Sequence, residues 1–274
     1  MSSKIAFIGG GNMTTSLVGG LLAADKTAQI RVTEPDPTKC RELEQQFGVQ
    51  ASTDNQAALA ADVIVLAVKP QLLQSVCREL AEHVGTQTPL FISIAAGVRS
   101  EDIERWLGGE CAIVRCMPNT PALVQCGATA LVANARVSST QKQLAEHILQ
   151  AVGIALWIED EDQLDAVTAV SGSGPAYFFL LMEAMQAAGE ALGLNADTAR
   201  DHTLQTALGA ARMASQSDVD AATLRARVTS KGGTTEQAIL SFENAGFHKI
   251  VQQALEAACT QSHKLAKELG KDSA

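Results

Sequence analysis

Two stretches of this chain carry residue types that suit chemistry better than packing. One is Val228-Thr229-Ser230-Lys231-Gly232-Gly233-Thr234-Thr235, an island of hydroxyls and glycines in a half otherwise rich in Ala and Leu. Glycine loses the most backbone entropy on folding, and Ser and Thr compete with a helical backbone for hydrogen bonds. Such a segment offers backbone N–H groups and hydroxyls to something small and polar. Thr234-Thr235-Glu236-Gln237 then reads as Thr-x-x-Gln, a capping box with Thr234 as N-cap. The island is therefore expected to end on a helix N-terminus, which favours an anion.

The other is Ile5-Ala6-Phe7-Ile8-Gly9-Gly10-Gly11-Asn12-Met13-Thr14, an apolar strand running through Gly-x-Gly into a helix. Gly9 permits the tight turn, and Gly11 lets backbone approach a pyrophosphate held at the helix start. Thr14 stands where the fingerprint has its third glycine, which weakens the match. Glu34, 20 residues past Thr14, sits where an acid accepts from the adenosine ribose 2′-OH. Alone it favours NADH. Thr33, Lys39 and Arg41 could serve a 2′-phosphate and Asp36 competes for the acid's role, so NADPH or NADH stays open. Lys69 ends an apolar strand near the expected cofactor, Pro70 stops that strand, and Ala95 and Ala96 are small enough to admit a flat ring. Asn55 opens the helix before Val63 and suits an N-cap.

These groups need elements to hold them. Residues 4–8, 29–33, 63–68, 90–94, 112–116, 128–132 and 155–158 read as strands. Residues 12–24, 37–47, 71–83, 100–107 and 139–152 read as helices between them. Such alternation predicts an α/β fold whose mostly parallel sheet is covered on both faces. After about residue 160 the pattern is helical: 164–192 broken at 171–175, then 196–215, 221–227, and one or two helices over 235–269. The expected architecture is an N-terminal Rossmann-type dinucleotide-binding domain, residues 1–160, followed by an all-α C-terminal dimerisation domain, residues 161–274. The helix over 199–214 is apolar on more than one face, a pattern of helices buried all round. So few layers remain to cover it that a second copy of the chain is the expected cover.

Two further loops stand out. Ser171-Gly172-Ser173-Gly174-Pro175 interrupts a long helix, with Pro175 suited to a renewed first turn. Arg115-Cys116-Met117-Pro118-Asn119-Thr120-Pro121 reads as a rigid turn at a strand end, and no base stands beside Cys116 to make it a nucleophile. The six cysteines form no CxxC and the five histidines no ligand cluster, so neither a disulfide framework nor a metal site is expected. A net charge of −9 argues against nucleic acid or an anionic membrane surface as partner. No apolar run approaches a membrane span. The N-terminus runs straight into a strand, leaving no room for a signal peptide, so a cytoplasmic protein with reduced cysteines is expected.

Together the motifs resemble those of the pyrroline-5-carboxylate reductases. The likeness rests on residues 7–13, Ala67-Val68-Lys69-Pro70, Met117-Pro118-Asn119-Thr120-Pro121, Ser171 to Tyr177 and Thr229 to Thr235, in that order along nearly the whole chain. It implies reduction of 1-pyrroline-5-carboxylate to L-proline by NADPH or NADH, the last step of proline biosynthesis. It also implies a dimer through the C-terminal helices, gathered in many members into a decamer. Residues 7–13 and 67–70 then give Gly9, Gly11, Asn12, Met13, Ala67, Val68, Lys69 and Pro70 to the cofactor, with Glu34, Asn55, Ala95 and Ala96. The substrate set is Val228, Ser230, Gly232, Gly233, Thr234 and Thr235. In it, Ser230 and the amides of Gly232, Gly233 and Thr234 match a carboxylate cradle, and Thr235 matches the hydroxyl on the imine nitrogen. Lys231 departs from the family's usual Pro, which puts the rigidity of that loop in question. The β-hydroxyacid dehydrogenases share the broad layout, but the helix after Gly174 begins Pro-Ala-Tyr-Phe-Phe-Leu-Leu, without their catalytic lysine.

Overall fold

The computed structural model describes residues 3–84 and 89–271. β1 (Lys4–Ile8), β2 (Gln29–Thr33), β3 (Gln50–Ser52), β4 (Val63–Leu66), β5 (Leu90–Ser93), β6 (Ile113–Met117), β7 (Gly127–Ala133) and β8 (Gly153–Trp157) form one sheet. Their order is β3-β2-β1-β4-β5-β6-β7-β8, and only β6 and β7 pair antiparallel. The central strands are continuous apolar runs because both faces are covered: β4 and β5 are buried at every position. α1 (Asn12–Ala24), α2 (Pro37–Phe47), α3 (Pro70–Ala81), α4 (Ser100–Trp106) and α5 (Ser139–Gln150) pack against it. Phe7, Leu17, Val65 and Leu149 share one core; Ile8, Ile64, Leu73 and Phe91 share that of the opposite face.

β3 was not expected. Gln50-Ala51-Ser52 has no apolar run, and edge pairing with β2 makes it a strand. β4 ends at Leu66 rather than at residue 68, because Lys69 is already the N-cap of α3 and Pro70 its first residue. Asn55 is not an N-cap. Asp54 fills that position of the short 3₁₀ helix Asn55–Ala60, accepting from Gln56 N, and frees the Asn55 amide for other partners.

The helical half comprises α6 (Gln163–Val167), α7 (Gly174–Ala191), α8 (Ala196–Ser215), α9 (Ala221–Arg227), α10 (Thr234–Asn244) and α11 (Phe247–Leu269). Between α6 and α7 the chain stays helical as a π turn, Thr168–Gly172, closed by Ser173 N donating to Thr168 O at 2.8 Å. The expected break is thus a widened turn, with Pro175 in the first turn of α7.

By contacts the chain forms two compact units. One is the chain through Ser173 together with the end of α11 from Ala257; the other is Gly174–Glu256. The change to helical pattern at residue 160 thus precedes the division in contacts. In the second unit α8 buries only Ala199 and Thr203 among the described residues, while Leu204, Leu208 and Met213 stand exposed. Within one chain, then, α8 is not buried all round.

Candidate active site

The sheet reverses its strand order between β1 and β4, and in open α/β sheets ligands sit at the strand carboxyl ends there. The loops after β1, β4 and β5 meet at this place: Gly9 follows β1, Ala67 N donates to Ile8 O at 2.8 Å, and Ile94 N donates to Leu66 O at 3.2 Å. Gly9 has φ +102°, and a Cβ there would lie 2.5 Å from Ala67 O, so glycine alone fits. A Cβ on Gly11 would meet nothing within 4 Å, so the space over that backbone is open. Gly11 is the N-cap of α1, and no side chain caps that helix. Its first-turn amides are left for an external acceptor. The cradle fits a dinucleotide pyrophosphate.

Thr14, which weakened the fingerprint, buttresses the turn: its buried hydroxyl donates to Gly9 O at 2.6 Å. Glu34 is 9% exposed, and its Oε2 accepts from Gly10 N at 2.8 Å. Lys39 Nζ stands 4.0 Å from Oε1. Asn55 lies beside the same crevice, with its Oδ1 accepting from Thr33 Oγ1 at 2.8 Å and its Nδ2 donating to Glu79 at 3.1 Å. Lys69 is exposed, and Ala95 is buried in the loop after β5.

That loop is anchored by Glu161, which no motif marked. Glu161 accepts from Ser100 N at 2.7 Å, Ser100 Oγ at 2.9 Å and Arg115 Nη1 at 2.6 Å. Burial pulls the Glu161 carboxyl upward, but the Arg115 charge and the bonds from Arg115 and Ser100 outweigh it and hold the pKa below the usual range. Asn119 joins the two unassigned motifs: its Nδ2 donates to Ser171 O at 3.0 Å and its Oδ1 accepts from Ala128 N at 2.8 Å. Glu161 gave no signal in an acidic run, Glu159-Asp160-Glu161-Asp162, that reads as solvated. Cys116 is fully buried, and burial pushes its thiol up to about 12, which leaves it protonated and inert.

The hydroxyl island is an exposed part of the second unit. Ser230 to Gly233 is a hydrogen-bonded turn, with Gly233 N donating to Ser230 O at 3.0 Å. Gly232 has φ +75° at the third position, as a type II turn requires. Lys231 takes the second position, where Pro is common but any residue with negative φ serves. The turn therefore keeps its shape without Pro.

The capping box is displaced. The N-cap of α10 is Gly233, not Thr234, and no side chain caps it. Glu236 instead reaches back to accept from Gly232 N at 2.7 Å. The first intrahelical bond is made by Gln237 N to Gly233 O. The amides of Thr234 and Thr235 come before it and point out of the helix end. Gly232 and Gly233 shape the turn with their own amides engaged, and Thr234 and Thr235 supply the outward donors. Val228 is 60% exposed at the end of α9. Among the described residues no His, Cys, Asp or Glu cluster could hold a metal ion, and no helix is long and apolar enough to cross a membrane.

Comparison with known proteins bears on both units. Residues 161–265 match the family described as pyrroline-5-carboxylate reductase dimerisation, and residues 4–97 match that described as NADP oxidoreductase coenzyme F420-dependent. The chain is 54% identical to the pyrroline-5-carboxylate reductase of Pseudomonas aeruginosa over 97% of its own length and 98% of the relative's. It is 43% identical to that of Vibrio alginolyticus over 96% and 98%. Its fold is similar to a pyrroline-5-carboxylate reductase from Coxiella burnetii, with a TM-score of 0.93 and 47% identity over 99% of this chain and 100% of that one. The Plasmodium falciparum pyrroline carboxylate reductase with NADP bound has a TM-score of 0.83 and 32% identity, over 96% and 98%.

Proposed function

We propose, from the premise that this chain belongs to the pyrroline-5-carboxylate reductase family, how its residues divide the work of that reaction. The protein is an NAD(P)H-dependent oxidoreductase that reduces 1-pyrroline-5-carboxylate to L-proline, the last step of proline biosynthesis. The cofactor-binding set is Gly9, Gly11, Asn12, Met13, Glu34, Asn55, Ala67, Val68, Lys69, Pro70, Ala95 and Ala96. Gly11 and the N-terminus of α1 would hold the pyrophosphate, and Glu34 would meet the adenosine ribose. Ala95 and Ala96 admit the nicotinamide ring, whose chemistry is to deliver a hydride to the imine carbon.

Val228, Ser230, Gly232, Gly233, Thr234 and Thr235 make the substrate set. The observation that carries this half is the turn Ser230–Gly233, which leads into a helix end with no side-chain cap. The Ser230 hydroxyl and the amides of Thr234 and Thr235 receive the substrate carboxylate. The Thr235 hydroxyl orients the imine nitrogen as its lone pair develops. A threonine hydroxyl is a poor acid, so its part is polarisation, and the proton comes from a protonated imine or solvent. Most of the rate enhancement then comes from holding the reactants in place, which can offset roughly 7–11 kcal/mol of a barrier.

Residues 1–160 form the cofactor domain and 161–274 the substrate and dimer domain. The exposed apolar faces of α7 and α8 support a dimer through this half. Assembly into a decamer rests on the resemblance alone. The buried thiols Cys40, Cys77, Cys111 and Cys116 fit a cytoplasmic protein.

The test is loss of reduced-cofactor absorbance on adding 1-pyrroline-5-carboxylate, with NADH and NADPH in parallel. Thr235→Ala is expected to lower turnover roughly ten- to a thousand-fold, the scale of losing one transition-state donor, with cofactor affinity intact. Unchanged turnover removes Thr235 from the mechanism.

A further inference from the structure

The loop from Ile94 to Arg99 follows β5 and carries Ala95 and Ala96, and it is held at several points. At its start Ser93 is 1% exposed, pairs in register with Arg115, and accepts through its hydroxyl from Ala95 N at 3.3 Å. At its middle Gly97 has φ +76°, and a Cβ there would press on Leu269 at 3.2 Å, so the loop has a firm floor. At its end Ser100 gives both its amide and its hydroxyl to Glu161. The same carboxylate takes Arg115 Nη1 at 2.6 Å, with Arg99 Nη2 3.9 Å away. One side chain thus ties the end of the loop to the strand that borders its start. Arg115 is 7% exposed, so this is a nearly buried ion pair.

Such a pair is a poor source of stability, since the cost of desolvating both charges offsets most of their attraction. What it supplies is a fixed distance and direction, through donors placed on both carboxylate oxygens. We propose that Glu161 is a positioning residue for the nicotinamide ring, setting through Ser100 and Arg115 the height of the Ala95–Ala96 loop on which the ring rests. The inference rests on the reading that Ala95 and Ala96 face the nicotinamide. It adds a residue that touches neither cofactor nor substrate and lies in a segment with no motif.

The test compares two ligands by calorimetry on the assembled protein: NADH, and ADP-ribose, its fragment without the nicotinamide ring. A misplaced ring contact can cost up to about a hundred-fold, and on that scale Glu161→Gln is expected to weaken NADH about ten-fold while ADP-ribose changes less than about two-fold. Ser100→Ala removes one of the donors and leaves the buried charges paired, so it folds even if Glu161→Gln does not; NADH should weaken about three-fold by the same reasoning. A merely structural role would weaken both ligands equally, whatever the change in melting temperature. Ala96→Val checks the underlying reading, because it alters the loop surface directly. If Ala96→Val shifts NADH relative to ADP-ribose and neither Glu161→Gln nor Ser100→Ala does, the inference falls and the reading stands. If Ala96→Val leaves that ratio unchanged, both fall.

Discussion

The two compact units of this chain differ in how far each completes itself. The first covers both faces of its central strands with its own helices, and Phe7, Phe91, Ile64 and Leu17 have no measurable exposure. In Gly174–Glu256, among the described residues, only Gly174, Ala199 and Thr203 are buried. Phe178, Phe179, Leu180 and Leu181 are consecutive on α7 and all exposed, so a wide apolar surface of that helix is left uncovered by its own chain. A unit that buries so little cannot offset the entropy of ordering its backbone. Its exposed apolar faces are those of half a core, and the match of residues 161–265 to a dimerisation family points to a second copy of the chain as the other half. On the proposed reading the first unit owns its cofactor geometry, whereas the second depends on assembly.

The largest effect expected from this difference is on assembly. Phe178→Glu combined with Leu181→Glu places two charges on one stripe of α7 and changes no residue of the first unit. Each buried apolar side chain of this size contributes about 1.5–3 kcal/mol, and a two-fold interface counts each change twice. Dimer affinity should therefore weaken by at least about a thousand-fold, with activity lost as the second unit unfolds. Sedimentation and far-UV dichroism would show a smaller, less helical species. A dimer of unchanged mass and helicity would mean that these faces are covered some other way, and the comparison would break.

A smaller effect, confined to the first unit, comes from its glycine turn. Gly9→Ala forces a Cβ against Ala67 O at a φ that L residues avoid, so the turn must open. The left-handed conformation alone costs about 1–2 kcal/mol, and cofactor affinity should drop by about ten-fold or more with the oligomer intact. Gly11→Ala meets nothing in the chain itself. It should leave the melting temperature unchanged and weaken cofactor binding alone. Thermal melts with and without NADH separate the two. Equal loss of stability in both variants would mean that the space over Gly11 is not open.

Much of this was legible in the sequence because it rests on local rules. β1, β2, α1, α2 and α8 lie at their expected bounds, since apolar runs, Asp36 as N-cap, Pro37 and Gly48 punctuate them. β3 was not legible, because only a neighbour makes Gln50-Ala51-Ser52 a strand. The hydroxyl island was visible by composition, and its arrival at a helix N-terminus was expected. The cap itself was misread by one residue, since Gly233 can cap without a side chain and Glu236 can reach Gly232. Thr14 looked like a defect, and only three-dimensional contact with Gly9 O explains it. Arg115 and Glu161 are 46 residues apart, and no spacing rule joins residues that meet only when β6 and the segment before α6 have folded.

The smallest expected effect is the pH dependence of the first unit's polar network. The Glu161 carboxyl lies below its ordinary 4.5 when folded, because the Arg115 charge and the bonds from Arg115 and Ser100 overcome the burial that opposes them. A carboxylate with a depressed folded pKa contributes stability that is fully present above its unfolded value. That stability is lost as pH falls through the folded value. Wild type should therefore exceed Glu161→Gln in melting temperature at pH 7, with the gap constant down to about pH 5.5 and shrinking below 4.5. The change should be on the order of a few degrees for a chain of this size. The outward-facing Asp220 carboxyl is also lowered, by its hydrogen bonds from the side chain and amide of Thr223 at the start of α9, but solvent screens it, and Asp220→Asn should show almost no pH-dependent gap. A gap for Glu161→Gln that stays constant from pH 7 to 4 would mean that the carboxylate charge contributes nothing beyond its shape. The first unit would then owe its self-sufficiency to its apolar core alone, and the contrast with the second would reduce to buried area.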